Sequence, residues 1–225
     1  NMYLIKTPRV IQKLFPSFHW RVESTEMPTI YFTFDDGPIP QITPWVLEQL
    51  AAYNAKATFF CVGNNARRYP ELLEQTLAAG HSVGNHTMHH LDGWKSENVP
   101  YFHDIRHCAL QVNSTLFRPP YGRLKPAQAQ FLTRHYDVVM WEVLSGDFDP
   151  MLSAEDCYQN VIRNARPGSI VVFHDSLKAE DKLRNILPRL LQYYADLGYR
   201  FDALTPELLA QGSNSGAAAP QLQTA

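Results

Sequence analysis

Along almost the whole of this chain, short apolar runs alternate with stretches of helical spacing, and no other feature restricts the fold as tightly. Runs over residues 30–34, 57–62, 81–84, 115–117, 137–143, 169–173 and 199–203 have the length and composition of strands. Between them, Thr43 and Pro44 read as the N-cap and first turn of a helix with Val46, Leu47, Leu50 and Ala51 on one face. Pro70 opens a second helix and Gly80 closes it. Further helices are expected over 97–112, from Pro126, from a Ser153 cap to residue 165, and from the sixth strand to residue 197. Such alternation implies parallel strands, because each connecting helix returns the chain to the end from which it started. The sheet then closes as a β/α barrel or stays open and doubly wound. Neither GxGxxG nor GxxxxGK[ST] occurs, so the phosphate-binding readings of an open sheet have no support.

The 225 residues suffice for one sizeable core but not two. With no internal repeat and no linker within 1–210, a single α/β domain is expected over 28–210. An N-terminal extension, 1–27, packs on it, and a flexible tail of Gly, Ser, Ala and Gln, 211–225, follows. In the extension, Val10, Ile11, Leu14 and Phe15 fall at helical spacing before Pro16, which predicts a short helix packed on the domain rather than lying on a membrane surface. A formal net charge of −2 offers no broad basic surface for nucleic acid or anionic lipid. No apolar run approaches the roughly 18–20 residues of a membrane span. Cys61, Cys108 and Cys157 are odd in number and form no CxxC, which argues against a disulfide framework and a cysteine zinc site. Asn1 before Met2 reads as a cloning remnant, and Pro8, Arg9, Gln12 and Lys13 interrupt any secretory apolar stretch, favouring a cytoplasmic location over a periplasmic or wall-associated one.

The polar residues gather where strands end. The first strand runs into Thr33-Phe34-Asp35-Asp36-Gly37-Pro38, whose adjacent carboxylates are most easily tolerated beside a cation, although Asp-Asp-Gly-Pro is also an ordinary turn. His86 and His90 follow the third strand. Four apart, they would share one face of a helical turn, and two imidazoles with one carboxylate are a common zinc set; a plain polar loop is the alternative. His89 should point elsewhere. After the fourth strand, Arg118-Pro119-Pro120-Tyr121 fixes the backbone so that the first free N–H is that of Tyr121, a rigid donor suited to an oxyanion. Arg118 is able to bind a carboxylate bidentately or to lie on the surface beside a proline turn. His174 ends an apolar strand, more often a structural position, and Asp147 or Asp149 is placed to orient a histidine. Strand ends share one face of a closed β/α barrel, where such enzymes keep their chemistry.

Together these residues resemble the NodB-homology polysaccharide deacetylases, carbohydrate esterase family four. TFDDGP stands at 33–38, His-Thr-Met-His-His at 86–90, Arg-Pro-Pro-Tyr at 118–121, an altered fourth motif at 144–148 and Val-Phe-His at 172–174. The resemblance spans roughly 28–210 and implies an irregular (β/α)7 barrel. It implies one divalent metal ion on Asp36, His86 and His90, zinc before cobalt or nickel. Asp35 would be the general base and Arg118 would hold it. The Tyr121 N–H would receive the oxyanion, with Pro120 and Phe148 lining the substrate site. His174 would be the general acid and Asp147 its tuning partner. In the fourth motif Leu144 stands in place of a carboxylate and Phe148 in place of a tryptophan, which keeps an apolar wall but removes the indole donor.

The activity so implied is hydrolysis of N-acetyl, or O-acetyl, groups on a carbohydrate polymer or oligomer, with release of acetate. Hydrolysis of a small amide, cyclic amide or other acyl compound on the same site is the second reading. An inactive carbohydrate-binding relative is the third, and intact Asp35, Asp36, His86, His90 and His174 argue against it.

Overall fold

The computed structural model describes residues 3–23 and 27–214. Its centre is a sheet of eight strands: β1 Thr29–Asp35, β2 Thr58–Cys61, β3 Ser82–Asn85, β4 Leu116–Phe117, β5 Asp137–Val138, β6 Val143–Leu144, β7 Ile170–His174 and β8 Arg200–Phe201. Seven of them follow the order β5-β4-β3-β2-β1-β7-β6, and β8 lies beside the first residues of β1. All of these pairings are parallel, as the strand–helix alternation requires. The sheet curls into a half-barrel with helices outside it.

Nine α-helices are present among the described residues: α1 Arg9–Leu14, α2 Thr43–Ala52, α3 Gly63–Arg68, α4 Pro70–Ala78, α5 Asn98–Ala109, α6 Pro126–Leu132, α7 Ala154–Asn164, α8 Glu180–Asp196 and α9 Pro206–Asn214. Ser153 caps α7 as expected, accepting from the Asp156 N–H while Asp156 accepts from the Ser153 N–H. Thr43 does not cap α2. It is already helical, and its hydroxyl accepts from the Ile39 N–H while donating to Asp175 at 2.6 Å.

Every residue of β1 is buried, which explains its largely apolar character. Ile30, Phe32 and Phe34 join the outer core with Leu50 of α2 and Leu183, Leu187 and Leu190 of α8. Tyr31 instead joins Phe60, Leu116, Val139 and Ile170 inside the curl. By the two-residue period of a strand, Thr33 and Asp35 share the inner side with Tyr31. The same alternation sends Phe173 to the outer core and turns His174 inward.

The fifth expected strand, 137–143, is two strands at opposite ends of the sheet path: β5 pairs with β4, and β6 pairs with β7. The cause is long-range. The carbonyls of Val139 and Met140 accept from the Arg118 guanidinium, so this stretch leaves the ladder. The N-terminal extension bonds to both sides of the break. The His19 N–H donates to Val138 and the Met140 N–H to His19. Further on, the Thr7 N–H donates to Glu142 and the Leu144 N–H to Ile5. The extended segments make these contacts, not the helix between them. No residue of α1 is buried, and Val10, Leu14 and Phe15 stay exposed because six residues present too little face to bury. At the other end α9 continues through residues 211–214, which were expected to be tail; residues 215–225 lie outside the described residues.

Glu142 fastens this arrangement. It is fully buried beside the break and accepts from Arg166 at 2.5 Å and from the Ser169 hydroxyl at 2.7 Å, with the Arg21 Nε of the extension at 3.5 Å. Glu142→Ala leaves two arginines without their shared anion, both of them partly solvated. The expected loss is about 2–3 kcal/mol, read as a lower urea midpoint at unchanged m-value.

Candidate active site

At the inner end of β1, Asp35 meets a cation that is itself fully buried. Arg118 Nη1 donates to Asp35 Oδ1 and to Thr33 Oγ1, each at 2.7 Å. Nε and Nη2 donate to the Val139 and Met140 carbonyls, and the guanidinium lies 4.1 Å from the Phe60 ring centroid. The buried charge is therefore paired, hydrogen-bonded and stacked, which is what its loss of water demands.

Asp36 leaves the strand at φ 87°, and its carbonyl accepts from the Asn65 amide. This turn brings its carboxylate into the same site as Asp35 although the two are neighbours in sequence. Asp36 Oδ1 lies 3.2 Å from His90 Nε2 and 3.7 Å from His86 Nε2, and His86 Nε2 lies 4.0 Å from Asp35 Oδ2. Residues 86–90 form no helical turn. Their convergence comes from left-handed backbone at Thr87 and His90, at φ 62° and 57°. The unforeseen α3 holds this loop: its Gly63 and Asn64 N–H groups donate to the Thr87 and Met88 carbonyls. Of the five non-glycine residues at positive φ among the described residues, Asp36, Thr87, His90 and Tyr121 belong to this one site. A β-branched residue such as Thr87 adopts that conformation only when its surroundings impose it.

The electrostatics suit a cation. His86 Nδ1–H donates to the Arg118 carbonyl at 2.7 Å, which fixes the tautomer and leaves Nε2 as a bare lone pair. Burial, with His90 beside it, lowers His86 to about 4, so it is neutral at pH 7. Burial opposes the charge on Asp36, but His90, His174 and His86 outweigh it and hold this carboxyl well below the usual range. Asp36 Oδ1 is buried with no donor aligned on it, and the ligand atoms of Asp36, His86 and His90 lie within 4.8 Å of one another. Three ligand atoms drawn together, one of them an orphaned oxygen, fit a divalent ion with an open position.

Tyr121 sits at φ 60° after Pro119 and the buried Pro120, and its N–H makes no hydrogen bond to another described residue. Its ring meets His90 edge-on at 4.8 Å. Gly122, at φ 65°, must be glycine, because a Cβ there would lie 2.6 Å from Trp141.

His174 is the register partner of Asp35 on the neighbouring strand, so the two stand side by side and not across the mouth of a barrel. Both Asp147 oxygens engage it at 2.8 Å, one accepting from the backbone N–H and the other facing Nδ1. Burial lowers the His174 pKa, but Asp147, with Asp36 and Asp35 behind it, overrides burial and raises it to about 9. Asp149 does not orient it; this carboxylate accepts from the Tyr3 hydroxyl. His89 likewise turns away, onto Asp104.

Three contributors were not legible in sequence. Asp175 is fully buried and accepts from the Gly37 N–H and Thr43, which fixes the turn after the aspartate pair; burial pushes it up to about 8 against those two bonds. Its only local signal was a second acid after His174. Tyr3 packs on Phe148 at 5.2 Å, and Phe148 meets His174 edge-on at 5.1 Å. Thus an aromatic from the extension props the wall that the fourth motif supplies. Trp141 lies half-buried by Arg118 and Gly122. Leu144 is buried in β6.

The family model for polysaccharide deacetylase matches residues 23–138. A peptidoglycan-N-acetylglucosamine deacetylase of Bacillus cereus is 36% identical over 81% of this chain and 88% of its own length. A chitooligosaccharide deacetylase of Azorhizobium caulinodans is 35% identical over 68% of this chain and 76% of its own. Among solved structures, a peptidoglycan N-acetylglucosamine deacetylase in complex with 4-naphthalen-1-yl-N-oxidanyl-benzamide superposes with a TM-score of 0.76 at 28% identity, covering 91% of this chain and 97% of that one.

The His174–Asp147 pair generates a test. A pKa raised from 6.5 to about 9 contributes stability that is complete below the unfolded value and lost as pH rises through about 9. Asp147→Asn removes the main raising charge. An NMR titration of the His174 ring should then show its midpoint fall by two or more pH units, and stability should lose its decline on the alkaline side.

Proposed function

Because the chain belongs to the polysaccharide deacetylase family, we propose that it hydrolyses N-acetyl groups of a carbohydrate polymer or oligomer, releasing acetate and leaving a free amine. The observation that carries this reading is one cleft where an acceptor-only triad, a carboxylate held by a buried arginine and a histidine paired with its own aspartate all meet. Acetylated glycans are also what the names of its relatives specify, from peptidoglycan to chitooligosaccharide.

Asp36, His86 and His90 would hold the ion, zinc by their nitrogen and oxygen donors and three-ligand count, with cobalt or nickel as substitutes. When bound, a divalent ion supplies Lewis-acid polarisation of an acyl oxygen and lowers the pKa of a water from 15.7 toward 7. Asp35 takes the proton from the attacking water. The Arg118 hydrogen bond occupies Oδ1 and leaves Oδ2 for that proton. The Tyr121 N–H donates to the oxyanion that develops on the acetyl carbonyl, an uncommitted donor on a rigid turn. His174 donates its proton to the departing nitrogen, with Nδ1 held on Asp147 and Nε2 as the donating atom. Phe148 closes the side of the cleft against His174, and Pro120 fixes the turn that presents the Tyr121 donor.

In the zinc-loaded protein, acetate release from a panel of N- and O-acetylated glycans and small acyl amides identifies the substrate class. Asp35→Asn should keep its zinc and lose about 10²–10⁴-fold in turnover; zinc lost from Asp35→Asn but kept in Asp36→Asn would reverse the two roles.

His174 separates substrates by leaving group. An amine leaves only as it is protonated, whereas a phenolate leaves unaided. His174→Ala should reduce turnover of an N-acetylated sugar at least tenfold more than turnover of an aryl acetate. Equal losses on the two, with zinc and fold intact, would place the acid elsewhere.

A further inference from the structure

Beyond Tyr121 the rim of the cleft continues as an ordered row of aromatic and charged groups that the chemistry above does not use. The Arg123 guanidinium lies between two rings, 5.6 Å from the Tyr121 centroid and 5.1 Å from that of Trp94. Tyr121 and Trp94 are both more than half exposed, at 59% and 60%. Isolated exposed apolar side chains need no explanation. Trp94 differs from them because its loop is anchored from several sides. Its indole N–H donates to the Leu124 carbonyl at 3.2 Å. Asp92 accepts from the Trp94 N–H and, at 2.7 Å, from Arg123. The buried Gln128 donates to the Gly93 carbonyl, and Lys125 Nζ to that of Ser96. Gly93 packs so closely that a Cβ would lie 2.3 Å from the Arg123 carbonyl oxygen. A tryptophan held this firmly and still left in water loses little entropy when something stacks on it.

The row His90, Tyr121, Arg123, Trp94 starts at the candidate metal centre, each member in contact with the next. We propose that Trp94 and Arg123, with the outer side of Tyr121, form a stacking subsite for a further sugar ring of the same glycan whose acetyl group occupies the cleft. A pyranose presents a face of C–H groups and a rim of hydroxyls. The indole face that Arg123 does not cover meets the former, and the Arg123–Asp92 pair beside it meets the latter. The inference rests on the reading of the chain as a glycan deacetylase and adds to it the residues that hold the neighbouring ring.

Calorimetric titration of the metal-free protein, where no turnover consumes the ligand, with β-linked N-acetylglucosamine oligomers of increasing length reads the subsite directly. KM over the same series with zinc reads it in turnover. Affinity should rise about tenfold from the shortest to the longest oligomer, as expected of one well-placed tryptophan, and the rise should vanish in Trp94→Ala. Trp94→Tyr, which keeps an aromatic face, should retain part of it, and Arg123→Gln, which keeps both rings, should weaken it; these two keep the test sharp if Trp94→Ala fails to fold. An unchanged length dependence in folded Trp94→Ala overturns the subsite, as does affinity independent of length in the unaltered protein. Length-dependent binding without acetate release would strike the proposed activity and leave the subsite standing.

Discussion

One buried guanidinium organises this molecule. Arg118 has no exposed surface, and each of its contacts has a consequence elsewhere. Its bond to Asp35 sets the carboxylate at the end of β1, and its bond to Thr33 reaches two residues back along the same inner face. Its bonds to the Val139 and Met140 carbonyls divide what would otherwise be one strand and so keep the curled sheet from closing on itself. Its own carbonyl fixes the tautomer of His86. A lysine at this position carries its donors on one nitrogen and lacks the planar fork that spans Asp35, Thr33 and the two carbonyls at once. The fold and the chemistry are joined through a side chain whose burial is tolerable because all three of its nitrogens donate and its charge is paired.

The opening that Arg118 creates is covered by the N-terminal extension, and this makes the extension part of the site. Its backbone bonds flank the break on both sides, Glu142 ties it through Arg21, and Tyr3 lies against Phe148, which in turn lies against His174. Phe148 thus draws its position from residues far away in sequence. The indole N–H missing from this position leaves a wall without a donor, braced by the Tyr3 ring, with the Lys178 ammonium 5.6 Å from the Phe148 centroid.

What the sequence revealed depended on range. The strand–helix alternation is local, and the parallel sheet followed from it. The residues brought to the cleft, Asp35, Asp36, His86, His90, Arg118, Tyr121, Asp147 and His174, stand at strand ends or in loops after them and were found by that placement and by the motifs they form. The break at 139–140 was not visible, because Val139 and Met140 are good strand residues whose carbonyls are claimed by an arginine some twenty residues away. Nor was the loop geometry at 86–90. Spacing suggested a helical turn, while the structure imposes left-handed backbone on Thr87 and His90, contrary to their local preference. Tyr3 and Trp94 carried no signal, since a lone aromatic in a polar loop reads the same whether it stacks on a partner or lies idle.

Asp35 and His174 pair across two adjacent strands, in a register fixed by ladder hydrogen bonds and by burial on both faces. Shifting that register by one residue would turn an entire strand inside out, so the separation between the two side chains is as invariant as the sheet. The rim around them is made of loops, 92–96, 121–125 and 145–150, each with its own anchors. Apart from Tyr121, Gly122 and Asp147, side chains on this rim are free to change, and with them the shape of the glycan that is admitted, while the proton-handling pair stays where the sheet put it.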